Sequence, residues 1–82
     1  MKFSIETYGG REYCGELVDT RVTEDCVPEG KHAYALRHGD DMGIPRTVEE
    51  RVVVNYFGTF ITDKKLPLRK GRLRIKDYSY GS

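Results

Sequence analysis

The chain opens on a strict alternation of apolar and polar residues. In Lys2-Phe3-Ser4-Ile5-Glu6, Phe3 and Ile5 share one side and polar residues the other, which predicts a half-buried strand. Gly9-Gly10 then supplies two residues tolerant of positive φ, so a tight hairpin into Arg11–Val18 is expected. Val27-Pro28-Glu29-Gly30 reads as a turn in which proline presets φ and glycine accepts a positive φ two positions on. The strand that follows puts His32, Tyr34 and Leu36 on one side, with Ala33, Ala35 and Arg37 on the other. From His38 to Pro45 turn formers dominate, which predicts the longest loop.

Thr47-Val48-Glu49-Glu50 fits a T-x-x-E capping box and predicts one short helical turn near 47–51. It cannot extend far, because Val52-Val53-Val54 and the residues up to Thr62 are mostly β-branched or aromatic. Arg51–Thr62 is the strongest strand signal and reads as central, with Gly58 marking a bulge or a close backbone approach. Pro67 and Gly71 punctuate the next stretch, after which Arg72-Leu73-Arg74-Ile75-Lys76 alternates strictly. If that strand continues, Tyr78 and Tyr80 lie in line with Arg72, Arg74 and Lys76 on the outward face, the alternative being that the two tyrosines are core residues or a frayed tail. The expected fold is mainly β (or α+β): one domain over 1–82, a compact antiparallel sheet of about five strands with at most one short helical turn.

Length limits what such a fold can hold. A chain of 82 residues buries only about 60% of its unfolded surface, so most of its 38% hydrophobic residues are committed to the core and an elaborate catalytic cavity is not expected. There is no apolar run of about 18 residues to cross a bilayer, and the first ten residues lack the pattern of a secretory signal, so a cytoplasmic protein away from membranes is expected. Cys14 and Cys26 lack C-x-x-C spacing and read as reduced structural thiols. Ser4, Ser79 and Ser82 have no nucleophile elbow, a Cys–His pairing has no local support, and no glycine-rich stretch has the phosphate-loop frame. The expectation is a non-enzyme without metal or cofactor.

Charge is what changes the picture. Residues 1–63 carry seven Lys or Arg against twelve Asp or Glu, net −5, while residues 64–82 carry seven against one, net +6. A charged edge strand that discourages aggregation would explain this, and so would a surface facing an anionic partner. The partner-binding candidates are therefore Arg69, Lys70, Arg72, Arg74, Lys76, Tyr78 and Tyr80, a basic strand with interleaved aromatics suited to an acidic protein surface or to phosphates and bases. A secondary loop candidate is His38, Asp40 and Asp41, which could offer metal ligands but reads first as a loop whose carboxylates accept backbone amides. Asp19 with Arg21, and Arg37 with Asp40 or Asp41, are the expected bracing ion pairs.

One further pattern runs through the chain: Val18-Asp19-x-Arg21-Val22, Val27-Pro28-Glu29-Gly30, Tyr34-x-Leu36-Arg37-His38-Gly39-Asp40-Asp41, and Pro45-x-Thr47-Val48-Glu49 leading into Val52-Val53-Val54-Asn55-Tyr56-Phe57-Gly58-Thr59-Phe60-Ile61-Thr62. Over roughly residues 18–68 this resembles one of the large polyvalent protein-associated domains of phages and conjugative elements, with segments 1–17 and 69–82 outside the likeness. The resemblance implies a cytoplasmic protein encoded by a mobile element and carries no residue roles with it. Together with the basic strand it leads to the expectation of a non-catalytic binding module for a host or element protein, including an inhibitor of a host antiviral defence nuclease. The alternative is a sequence-tolerant nucleic-acid-binding protein.

Overall fold

The computed structural model describes residues 1–22, 26–41 and 43–81. Met42 of the expected loop and the Ser82 hydroxyl lie outside them. The elements among the described residues are strands: β1 (Lys2–Thr7), β2 (Glu12–Val18), β3 (His32–His38), β4 (Pro45–Glu49), β5 (Tyr56–Thr62) and β6 (Arg72–Tyr80). Every pairing is antiparallel, and the order β1-β2-β5-β3-β4-β6 closes into a barrel through the β6–β1 ladder. Closure leaves no free sheet edge, so the charge of β6 is not there to protect one.

The local signals that set β1, β2 and β3 act as expected. Thr7 N–H donates to Arg11 O (2.9 Å) and Gly10 N–H to Thr7 O (3.0 Å), with Gly10 at φ 83° closing the hairpin. Gly30 at φ 81° closes the Pro28 turn, where Lys31 N–H donates to Pro28 O at 3.0 Å. Phe3, Ile5, Leu17, Tyr34, Leu36, Phe60 and Ile75 fill the interior. Leu66, from the β5–β6 connection, joins them, and its amide donates to the Tyr34 hydroxyl at 3.0 Å.

Two expectations are corrected. The capping box near 47–51 makes no helical turn: Thr47 and Val48 lie in β4, with Val48 fully buried between Leu36 and Leu73. A single turn must overcome a costly nucleus, whereas this segment gains a ladder on both sides. Glu50 N–H donates to Gly71 O (3.1 Å), away from any cap. Nor is 51–62 one strand, because pairing starts only at Tyr56. The reason is strand order: β4 and β5 flank β3 on opposite sides, so residues 50–55 must cross the outside of β3. Asn55 turns the chain at φ 62°, and Val52 and Val54 are left 57% and 79% exposed. Under this crossing the outward-facing Ala35, Glu49 and Thr59 are buried.

The irregularity expected at Gly58 is present. Leu36 pairs with Gly58 but Arg37 pairs with Tyr56, so Phe57 is the extra residue of a bulge and turns inward against the core. A Cβ on Gly58 would sit 2.7 Å from Leu17 Cδ1 and 3.1 Å from Val18 O, so close approach is what the position requires. Gly58→Val should destabilise by more than about 1 kcal/mol in chemical denaturation. An unchanged midpoint would mean that Leu17 yields freely.

Candidate functional site

The basic strand alternates as expected only through its first half. Leu73 and Ile75 turn inward, and Arg72 and Arg74 are exposed on the outer face. The β1–β6 register then shifts, with Thr7 opposite Ile75 but Glu6 opposite Asp77, which leaves Lys76 as the unpaired residue of a bulge. Beyond it the parity is reversed. Tyr78 and Tyr80 stand opposite Ile5 and Phe3 and take the core-facing side, where Tyr78 stacks on Phe3 at 5.5 Å and Tyr80 meets it edge-on at 5.2 Å. The expected continuous row of three cations and two tyrosines is thereby corrected by a one-residue insertion that alternation alone cannot register. Lys76 Nζ lies 3.1 Å from Glu6 Oε2. Tyr80 remains 51% exposed, yet desolvation, and then the charges of Tyr78 and Asp19, push its hydroxyl pKa above the ordinary 10.0.

What the fold adds to Arg74 was not visible in the sequence. The turn between β1 and β2 brings Tyr8 to β6, so that the Arg74 guanidinium lies over the Tyr8 ring, 5.5 Å from its centroid. Tyr8 is 64% exposed. On one side of this stacked pair opens a cleft of about 690 Å³ with Arg11, Arg69, Pro67 and Leu73 in its walls. Arg69 is placed by a two-residue turn: Lys70 (φ 56°) and Gly71 (φ 79°) reverse the chain while Arg69 and Arg72 exchange backbone hydrogen bonds of 3.0 and 3.1 Å. Among the described residues, Arg11, Arg69, Lys70, Arg72 and Arg74 have no carboxylate within ion-pairing distance. Arg72 stands across from Glu49, which is already held by Arg37 (3.5 Å) and Arg51 (3.6 Å).

On the other side lies a second cleft of about 490 Å³, and the loop candidate forms its wall. His38, Asp40 and Asp41 are brought together there with Arg37, Arg46, Asn55 and Arg74. The ion pairs differ from those expected: Arg37 turns to Glu49, Asp41 meets Arg46 at 3.5 Å, and Arg21 lies over the Tyr56 ring at 5.1 Å instead of pairing with Asp19. The His38 ring meets Phe57 edge-on at 5.1 Å, and its Nδ1 is buried without a hydrogen-bond partner. Among the described residues no three His, Cys, Asp or Glu side chains are grouped to hold a metal ion. Ser4 and Ser79 hydroxyls bond each other at 2.7 Å on the outer face, and Cys14 and Cys26 are exposed where packed thiols were expected.

No helix among the described residues is long and apolar enough to cross a membrane. No curated protein and no solved structure matches the chain. A family model, large polyvalent protein associated domain 28, matches residues 6–81. The match reaches well beyond the 18–68 suggested by the sequence motifs and takes in both the β1–β2 turn and the whole of β6. All the residues that line the cationic cleft lie within the matched stretch, and the chain belongs to the large polyvalent protein associated domain 28 family.

Proposed function

We propose that this domain is a non-catalytic binding module of a protein encoded by a phage or mobile element, acting in the cytoplasm and docking an acidic surface of a host or element protein. The observation that carries this reading is the charge of Arg11, Arg69 and Arg74 around one cleft, with no carboxylate within ion-pairing distance among the described residues, when Arg37, Arg46, Arg51 and Lys76 each have one nearby. Neighbouring cations without counter-charges repel one another and raise a local field, which an acidic partner relieves. A host antiviral defence nuclease is the target that the mobile-element setting suggests. The domain would block it sterically from an acidic patch, since the cationic substrate groove of a nuclease would repel this surface.

One observation favours a second reading. The exposed Tyr8 ring under Arg74 is the pairing of aromatic face and cation by which sequence-tolerant binders hold single-stranded nucleic acid. The two readings separate when tagged domain is used to capture partners from host lysate with and without nuclease digestion. A stoichiometric protein that survives digestion, and is lost when Arg11, Arg69 and Arg74 are changed to Glu, supports the first. Recovery that disappears on digestion and falls steeply with salt supports the second.

A further inference from the structure

We infer that the 490 Å³ cleft lined by Arg37, Arg46 and Arg74 is a site for a small phosphorylated ligand with a flat ring, of the mononucleotide class. Its volume lies in the range of about 300–1,000 Å³ typical of small-ligand pockets. Three arginines line it from three strands, Arg37 at the end of β3, Arg46 at the start of β4 and Arg74 on β6, so the spacing of their backbones is set by the barrel. Guanidinium is the side chain best matched to phosphate oxygens, and here two of the three are already oriented, Arg37 by Glu49 and Arg46 by Asp41. Tyr8, which also lines the cleft, is largely exposed, and the ring face not covered by Arg74 is one on which a base can stack.

The carboxylates decide the ligand class. Asp40 and Asp41 offset two of the three positive charges, so a polyanion gains little in this cleft, in contrast to the neighbouring cationic one. A mononucleotide suits it better, because its phosphate can meet the guanidiniums while its sugar hydroxyls donate to the Asp40 carboxylate. Two further features border the cleft. Asn55, whose left-handed backbone (φ 62°) ends the crossing over β3, lines it, and its carbonyl accepts the His38 N–H at 2.8 Å. The neighbouring imidazole carries a buried Nδ1 that has no hydrogen-bond partner among the described residues.

The test is calorimetric titration of the domain with the four ribonucleoside monophosphates, with adenosine and with inorganic phosphate. At least one nucleotide is expected to bind saturably and at least about tenfold more tightly than either fragment, since phosphate and ring are recognised together. Arg46→Ala should weaken it by about tenfold or more at an unchanged thermal midpoint, and Arg69→Glu, which faces only the other cleft, should leave it intact. Tyr8→Leu serves as the second variant should Arg46→Ala prove unstable, and it too should weaken binding severalfold. Absence of saturable nucleotide binding, phosphate binding as tightly as the nucleotides, or wild-type affinity in whichever of these variants is folded would overturn the assignment. Because Arg69→Glu bears on partner docking and Arg46→Ala on this cleft, failure of one proposal is visible separately from failure of the other.

Discussion

Replacing Phe60 by alanine is expected to cost about 3–5 kcal/mol and to leave the domain largely unfolded at physiological temperature. Phe60 is fully buried (0% exposed) at the centre of the β2–β5–β3 ladders, in register with Leu17 on one side and Tyr34 on the other. Its ring meets Phe3 edge-on at 6.0 Å, so truncation removes core volume and an aromatic contact together. A barrel closed on every side cannot collapse into the void without disturbing its ladders, which places the cost at the upper part of that range. Phe60→Leu should recover much of the loss. Urea unfolding monitored by circular dichroism reads both, and a loss below about 1.5 kcal/mol for Phe60→Ala would show that the core repacks.

Gly15→Ala should destabilise by about 2–3 kcal/mol or more, although the change adds a single methyl group. A Cβ on Gly15 would lie 2.2 Å from Ile61 O, 3.0 Å from Ile61 C and 2.9 Å from Phe60 Cε1. Two of those atoms are backbone and cannot rotate away. The joint they belong to is short, since β2 and β5 pair only through Glu16, Leu17 and Val18. Pushing Ile61 outward therefore strains one of the two shortest ladders that keep the barrel closed, the other being β4–β6. At a position without steric conflict the same substitution would stabilise by about 0.4–1 kcal/mol through the unfolded chain, so even the sign is informative. Faster amide exchange at residues 59–62, with a lowered unfolding midpoint, is the expected result, and a neutral or stabilising outcome would contradict this packing.

The legible parts of the fold were those in which local chemistry and tertiary packing agree. Phe3 and Ile5, Gly10, Gly30 and the Tyr34–Leu36 alternation could be read directly because each depends on a few neighbouring residues. Val48 was hidden by its setting in T-x-x-E, a pattern that favours a helical start only when no strand lies waiting on either side. Val52 and Val54 look like strand residues, and only the crossing outside β3 forces them into a loop. The bulge at Lys76 and the plugging role of Leu66 depend on barrel closure and leave no local trace. The site divides in the same way. Segregated charge exposed Arg69, Arg72 and Arg74, whereas Tyr8, Arg11, Arg37 and Arg46 are far from them in sequence and meet them only in the closed barrel.

The bulge also decides how the binding surface has to be tested. Changing Lys76 to Glu would set a carboxylate against Glu6, and changing Arg72 would do the same beside the buried Glu49, so either variant would confound binding with folding. Arg11, Arg69 and Arg74 have no ion-pair partner among the described residues, and of the three only Arg74 shares a cleft with carboxylates, those of Asp40 and Asp41, so Arg11/Arg69→Glu serves as the control free of that repulsion. The most direct measurement is the affinity of the captured partner for the wild-type domain and for the Arg11/Arg69/Arg74→Glu variant, with thermal midpoints taken on the same samples. Affinity should fall by at least about 100-fold, because like charges set against an acidic surface cost several kcal/mol. Stability should change by no more than about 0.5 kcal/mol per site. A folded variant that keeps wild-type affinity would contradict the account and move the binding surface away from the cationic cleft.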